Sequence, residues 1–394
     1  MPVARRLTHA VVIVAGFSML ASAPALAEDV VTPPLTGKSV QAVISETGVY
    51  ETNPLMVTKG ATTLYGSTTS PQLILQDDTP TTQLDLNALV NENLFNESNF
   101  DSTDLHVKAG LNKQMQRWGA GIQGATDYDT TRTSELTTYG TNVAPVRHLG
   151  VSLTPQTTFA PTAVDKLSLA ATAAMSTYQS SVFTDYETFS VNPTYTHTFD
   201  PLNSGNISLQ AQRYQTTKGP SNKTDSVGPT VGWVGILTPR LTAKANVGVQ
   251  ESRQSGANVT SSSWTLNYIF SGDISFKGQQ DVADLNASRA QYPFGNGSEA
   301  LLTTVALTDI HQLNARLALN VGLSYQTGEY QASANGDLKS LLSANSGLTY
   351  HATDHVDVTA TYQYRYETLN GVSGNAQDNA VTLGVSYHPK AWGL

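Results

Sequence analysis

The sequence predicts an all-β chain that closes into a transmembrane, antiparallel, up-and-down outer-membrane β-barrel of about 18 strands (16–18), with short periplasmic turns and longer extracellular loops. Three observations carry that expectation. Apolar and polar residues alternate with period two in blocks of about ten, the length that crosses an outer membrane as a tilted strand. Tight turns alternate with longer stretches rich in Ser, Thr, Asn and Gly, so that one hairpin plus one loop forms the repeat. Charged residues make up only 13% of the 394 residues, yet the hydrophobic share is just 39%. A soluble domain has roughly 25% charged residues and needs a core. A barrel needs neither, because every second residue meets lipid and the polar ones face the lumen.

The N-terminus stands apart from this pattern. Arg5 and Arg6 precede an apolar run from Ala10 to Ala23 and then Ala25-Leu26-Ala27, which reads as a secretory signal cleaved after Ala27. Ser18 and Ser22 interrupt the run, which falls short of the roughly 20 apolar residues of a membrane-spanning helix. Residues 28–38, with Pro33-Pro34, read as a short extended periplasmic segment, and residues 39–394 as a single barrel domain. The chain carries 22 Lys and Arg against 31 Asp and Glu, and losing the signal removes two arginines and no acid. That balance argues against nucleic acid as a partner. Cysteine is absent, which excludes disulfide frameworks and thiolate metal sites.

The strands follow in order. Clear alternation runs through Leu105-Val107-Ala109-Leu111, Trp118-Ala120-Ile122, Leu167-Leu169-Ala171-Ala173, Leu241 to Val249, Trp264 to Phe270 and Val381 to Tyr387. The clearest block is Leu313, Ala315, Leu317, Leu319, Val321, Leu323 and Tyr325. Short turns are expected at Asp77 to Thr81, Asn112 to Gln116, Pro161 to Asp165, Asp200 to Gly205, Thr238 to Arg240, Ser271 to Asp273, Asp309 to His311 and His351 to His355. Thr130 to Pro145, Thr216 to Asp225, Leu285 to Glu299 and Glu367 to Asp378 read as the longer loops. Aromatic residues at block ends, namely Tyr50, Tyr128, Tyr178, Tyr186, Phe199, Tyr214, Trp233, Tyr325 and Tyr350, are expected to form two interfacial girdles.

The opening strand, Val43-Ile44-Ser45-Glu46-Thr47-Gly48-Val49-Tyr50-Glu51-Thr52-Asn53-Pro54-Leu55, ends on Asn-Pro-Leu. It is followed by the stretch Thr58 to Asp78, by Leu84-Asp85-Leu86 and by Phe100-Asp101, and the turns Thr238-Pro239-Arg240-Leu241 and Thr353-Asp354-His355-Val356 repeat one theme. In these features the chain resembles the putative β-barrel porin type 2 family. The resemblance implies an outer-membrane barrel, in some relatives encoded beside exopolysaccharide synthesis genes, and brings no catalytic residues with it. The C-terminus departs from the usual barrel ending on an aromatic residue, because Tyr387 is followed by His388-Pro389-Lys390-Ala391-Trp392-Gly393-Leu394. Either Tyr387 or Trp392 is the insertion signal, and Pro389 favours Tyr387 because proline breaks the ladder.

Chemistry is sparse. Histidines at 106, 148, 197, 311, 351, 355 and 388 stand beside no nucleophile motif such as Gly-x-Ser-x-Gly. His351 and His355 have metal-helix spacing but lie in a turn, where i and i+4 do not share a face. No enzyme activity, cofactor or metal is expected. If the apolar residues meet lipid, the charges alternating with them point inward, which makes Asp85, Lys108, Lys244, Lys277, Asp281, Arg316, Asp357 and Arg365 the candidate lumen-lining residues. A barrel this wide holds water, and its inward charges either set up a transverse field for polar solutes or pair across strands. The function expected is a passive or weakly selective porin-like pore, or an outer-membrane conduit for polysaccharide export. The alternative is a non-conducting structural, surface-display or adhesion barrel. Expected partners are outer-membrane lipid and lipopolysaccharide, the barrel-assembly machinery, and polysaccharide or small polar solutes. Thr130 to Pro145 and Leu285 to Glu299 could fold into the lumen, though the simpler expectation keeps them outside.

Overall fold

The computed structural model describes residues 37–134, 145–180, 182–219, 221–256, 263–295, 297, 299–330 and 337–393. The expected signal and nearly all of the 28–38 segment lie outside the described residues. The strands are β1 (Gly37–Glu51), β2 (Leu64–Asp78), β3 (Thr82–Phe95), β4 (Ser102–Gln114), β5 (Trp118–Thr130), β6 (Arg147–Phe159), β7 (Asp165–Tyr178), β8 (Tyr186–Asp200) and β9 (Asn203–Thr216). They continue as β10 (Asn222–Thr238), β11 (Leu241–Gly256), β12 (Thr265–Lys277), β13 (Asp281–Pro293), β14 (Glu299–Asn314), β15 (Leu317–Tyr330), β16 (Leu338–Thr353), β17 (Val356–Leu369) and β18 (Ala376–Tyr387). A two-residue β19 (Trp392–Gly393) and a one-turn helix α1 (Thr131–Ser134) complete the elements used below.

Each strand from β1 to β18 pairs antiparallel with its chain neighbour, and β1 also pairs with β18 from Ile44↔Tyr387 to Glu51↔Ala380. The sheet therefore closes and has no free edge, which is what lets a β structure stand in lipid with its backbone groups paired. Strands of 12 to 17 residues exceed the roughly 9–11 needed to cross a bilayer, so their ends project beyond it. Alternate residues on each strand are exposed and apolar, as at Ile44, Leu111, Leu169, Val247, Leu323 and Leu383. This register marks the lipid face. It also carries carboxylates, among them Glu46 and Glu92, each accepting a hydroxyl from a cross-strand threonine at 2.5 Å, Thr69 and Thr103 respectively.

Two expected turns are corrected. Ser271 to Asp273 lies inside β12, with Gly272 opposite Ala245 and Ala287, and the chain turns at residues 278–280, where Gly278 N–H donates to Asp281 O at 2.7 Å. Asp309 to His311 lies inside β14, and the turn is Ala315-Arg316. The block from Leu313 to Tyr325 is therefore two strands: a two-residue turn returns Leu317 to the same face as Leu313, so alternation passes through it without a change of phase. Most of the expected loop from Leu285 to Glu299 is strand, leaving 294–298 as the connection.

The girdle divides as well. Tyr50, Phe199, Tyr325 and Tyr350 are exposed on the lipid register at 44–64%. Tyr178, Tyr186 and Tyr214 are 1–5% exposed and stand on the opposite register. They face inward because on β7, β8 and β9 the odd-numbered residues, such as Leu169, Phe189 and Leu209, are the exposed ones. At the C-terminus both candidate aromatics are exposed strand residues. The ladder breaks after Tyr387 and resumes for Trp392, opposite Val40.

Candidate functional site: the lumen and its loop-end mouth

The inward register is a ladder of amides and hydroxyls. Thr68 donates to Asn93 Oδ1 at 2.7 Å, Ser70 to Asn91 Oδ1 at 2.8 Å and Gln72 Nε2 to Asn87 Oδ1 at 3.0 Å. Across the barrel Gln250 Nε2 donates to Ser226 at 3.1 Å, and Asn246 Nδ2 to Ser271 at 3.2 Å. Cross-strand neighbours on one face satisfy one another in this way, while each amide keeps capacity for a further bond. Charge does not single these residues out in the sequence, whereas the period-two alternation places them on the inward face.

The candidate charges do not gather into one site. Asp85, Lys108, Lys244 and Lys277 stand on the inward register of β3, β4, β11 and β12, with Lys277 the last residue of its strand at the short-turn end. Lys244 Nζ lies 3.7 Å from Asp273 Oδ1. Arg365 and Asp357 are inward but buried and already paired: Arg365 Nη2 is 2.8 Å from Asp378 Oδ2, and Asp357 sits between His351 Nδ1 at 2.7 Å and His388 Nε2 at 3.1 Å. Arg316 lies in the turn between β14 and β15. Asp281 occupies the lipid register, opposite His311, whose Nδ1 is 2.5 Å from its carboxylate. The His311 pairing is one of a series. His106 with Asp127, His148 with Asp129, His197 with Asp165 and His351 with Asp357 are also directly opposed cross-strand pairs. These histidines fasten neighbouring strands. Among the described residues no group of three or more His, Asp or Glu is arranged to hold a metal.

The end of the barrel that carries the longer connections is crossed by several of them. Met56, in the β1–β2 loop, packs with Leu338, Leu341 and Ala376 at the inner ends of β16 and β18. Thr52 and Asn53 anchor this loop by donating their backbone N–H groups to Asp378 Oδ1 at 3.1 and 2.8 Å. In the β7–β8 connection Phe183 packs with Tyr178, Tyr186 and Tyr214. The β13–β14 tip supplies Phe294, which packs with Ala300 and Leu302. Tyr330 touches both the first and the third cluster. The second and third are joined by Thr184 N–H donating to Gly295 O at 2.6 Å and by Tyr214 Oη donating to Phe294 O at 3.3 Å.

A polar seam runs beside this apolar one. Gln212 Nε2, on the inward face of β9, donates to the buried Glu299 at 3.2 Å, and Gln291 Nε2 does so at 3.0 Å. From the other side α1 brings Arg132 to Glu51 on β1 at 3.1 Å and over the Phe95 ring at 5.0 Å. Thus both loops expected to stay outside have residues that turn inward: Phe294, Gly295 and Glu299 of one, and Thr131–Ser134 of the other, whose residues 135–144 lie outside the described ones. Apolar contacts of this kind form because an open mouth leaves aromatic surface in water. Beneath the Met56 cluster lies Glu367, fully buried, opposite Leu341 and Ala376, with neither carboxylate oxygen hydrogen-bonded.

The family model described as Putative beta-barrel porin 2 matches residues 286–388, from within β13 to just past β18. Its match covers the C-terminal strands, including the turn Thr353-Asp354-His355-Val356, and does not reach the Val43 to Asp101 stretch or the turn at Thr238 to Leu241. Among curated proteins none matches the chain. Among solved structures, OpdL of Pseudomonas aeruginosa is similar, with 12% identity, 91% of this chain and 100% of that one covered and a TM-score of 0.49. OccK2 (OpdF) of the same organism, in complex with glucuronate, has 11% identity over 89% and 97% with a TM-score of 0.47. The outer membrane channel DcaP of Acinetobacter baumannii has 12% identity over 89% and 97% with a TM-score of 0.44.

Proposed function

We propose that this porin-like barrel is a weakly selective outer-membrane channel for uncharged polar solutes of carbohydrate type, with a mouth narrowed by its own loops. The observation that carries the reading is the inward wall of β8 to β10, where Asn192, Asn206, Ser208, Gln210 and Thr230 present amides and hydroxyls with no charge among them. A sugar hydroxyl both donates and accepts. It exchanges a bond to water for one to such a wall at little net cost, whereas an apolar solute gains nothing there. Many weak, similar sites also suit the passage of a flexible chain, since a conduit must hold its cargo loosely enough to release it. Export of a polysaccharide is the longer-cargo version of the same reading.

The apolar contacts across the mouth favour a second reading, in which the barrel is closed at rest and either opens with a partner or serves as a structural or display barrel. Planar-bilayer recording of the refolded protein separates the two. Discrete conductance steps, followed by liposome swelling that is faster with neutral sugars than with anionic sugars of equal size, support the channel. A silent bilayer despite verified insertion removes the open channel and leaves the closed barrel. Fractionation of cells expressing the full chain tests outer-membrane placement independently of conductance.

A further inference from the structure

On the lipid-facing wall, at the loop end of β9, β10 and β11, three cations surround one carboxylate. Arg213 Nε lies 2.7 Å from Asp225 Oδ1, Lys223 Nζ 3.0 Å from Asp225 Oδ2, and Arg253 Nη2 3.9 Å from the same oxygen. The register fixes their direction. Arg213 and Arg253 are the strand partners of Asp225, in line with the exposed Leu209, Val227 and Val249 of the same three strands. The three basic side chains remain 54%, 35% and 44% exposed, so one carboxylate leaves most of their donors unused. Arg253 also lies over the ring of Trp264, 5.1 Å from its centroid, an exposed aromatic of the kind that marks a membrane interface. Two further carboxylates share the wall. Glu187 accepts the Gln215 amide, and Glu251 faces Val227 and Leu266.

A second feature lies on the same wall, closer to the short-turn end. An apolar cleft of about 510 Å³ crosses β5 to β10, with Trp118, Leu169, Pro193, Ile207, Leu209 and Pro229 in its lining. Leu209 and Pro229 form its upper end, each four residues along its strand from Arg213 or Asp225. At roughly 3.3 Å per residue that is about 13 Å along the strand, or about 10 Å along the membrane normal for strands tilted by roughly 35–45°, which lies within one leaflet's hydrocarbon, about half of a ~30 Å core. A cationic cluster at headgroup level, standing above an apolar cleft that begins within the same leaflet, matches an amphiphile with an anionic head and several chains.

We infer that this wall is a binding site for a phosphorylated glycolipid of the outer leaflet, its phosphate held by Arg213, Lys223 and Arg253 and its acyl chains running down toward the cleft. Phosphate suits the site because its oxygens accept paired guanidinium N–H bonds. The inference rests on the outer-membrane placement proposed above but not on conductance, so a silent bilayer leaves it standing and failed fractionation does not.

The test uses the full chain refolded in detergent, with lipid retention read by native mass spectrometry and folding confirmed by the faster migration of the unheated band. Bisphosphorylated lipid A, its dephosphorylated form and phosphatidylglycerol are the probes. The wild type is expected to retain lipid A at least ten times better than either of the others. The triple variant Arg213→Gln, Lys223→Gln, Arg253→Gln is expected to lose that preference, and Asp225→Asn, which frees the cations, to strengthen it. If the triple variant does not fold, Lys223→Gln alone should weaken retention several-fold. Equal retention by wild type and variant, or equal retention of phosphatidylglycerol, overturns the site.

Discussion

Tyr214 on β9 donates its hydroxyl to the main-chain carbonyl of Phe294, 3.3 Å away and 80 positions along the chain. Tyr214 is 1% exposed and Phe294 0%, so this bond ties the barrel wall to the β13–β14 tip from within. In the channel proposed above, such a bond would latch the mouth. Tyr214→Phe removes one hydrogen bond worth about 1 kcal/mol, roughly fivefold in the latch equilibrium. Phe294→Ala removes the packing as well. Both variants are expected to raise open probability in planar bilayers, Phe294→Ala more, while the temperature at which the folded gel band is lost stays within a few degrees of wild type. Unchanged gating in both would show that the tip does not limit the channel.

Arg365 and Asp378 form the other anchor. Their side chains are 7% and 0% exposed, and Asp378 also receives the N–H groups of Thr52 and Asn53. Arg365→Ala leaves that carboxylate buried with only neutral donors, the two amides and the Thr52 hydroxyl, a loss of at least about 3 kcal/mol for a broken buried pair. The β1–β2 loop should then detach from the wall. Limited trypsin digestion reads this directly, since the exposed Lys59 lies in the loop. Cleavage after Lys59 is expected to accelerate at least tenfold, and an unaltered rate would mean that Met56 alone holds the loop.

Glu367 predicts a change in the opposite direction. A carboxyl with neither oxygen hydrogen-bonded, under Met56, Leu338, Leu341 and Ala376, costs free energy that an apolar side chain of similar size does not. Glu367→Leu should slow cleavage after Lys59 and raise the unfolding temperature of the barrel by a few degrees. A lower unfolding temperature would show that the buried carboxyl serves a contact that leucine cannot make.

Barrel closure and much of the strand order were legible because lipid on one side and water on the other force alternation on every strand. The turn at Ala315-Arg316 was not, since it preserves the phase. Its signal lies elsewhere. Asn314 Oδ1 accepts the N–H of Arg316 at 2.9 Å, as Thr238 Oγ1 accepts that of Arg240 at 3.2 Å and Thr353 Oγ1 that of His355 at 3.1 Å. Asn-Ala-Arg-Leu is thus the same turn as Thr-Pro-Arg-Leu and Thr-Asp-His-Val. The position of Tyr178, Tyr186 and Tyr214 near block ends points to the girdle, whereas parity counted from Leu169, Phe189 and Leu209 places them inside. The mouth is different in kind. That Met56 meets Leu338, or that Phe294 meets Tyr330, depends on where strands far apart in the chain are brought by closure, and no local period encodes it.

Charge in the lumen predicts ion preference. On the inward register carboxylates such as Glu51, Asp104, Asp127, Asp129 and Asp273 outnumber lysines and arginines among the described residues. Such a lining concentrates cations. The open channel is expected to prefer potassium over chloride, read as a reversal potential in a salt gradient. Lys108 faces Asn87 and Ala125, with no carboxylate directly across from it on either side, so Lys108→Gln should increase the cation preference. A chloride-selective wild type would mean that ions pass by a route these side chains do not line.

The seam predicts which aromatic residue directs assembly. Tyr387 ends β18 in register with Ile44, the last of an unbroken run of pairs that begins at Glu51↔Ala380 and closes the barrel. Trp392 is held only by β19, whose two residues pair with Ser39 and Val40 beyond the break at Pro389. Removing the Tyr387 ring takes an anchor from the strand that must find β1, whereas removing the Trp392 indole takes one from a short appendage. Tyr387→Ala is expected to slow appearance of the folded gel band during refolding into lipid vesicles several-fold, and Trp392→Ala less than twofold. The reverse order would make the two-residue strand, and not the end of β18, the element that guides closure.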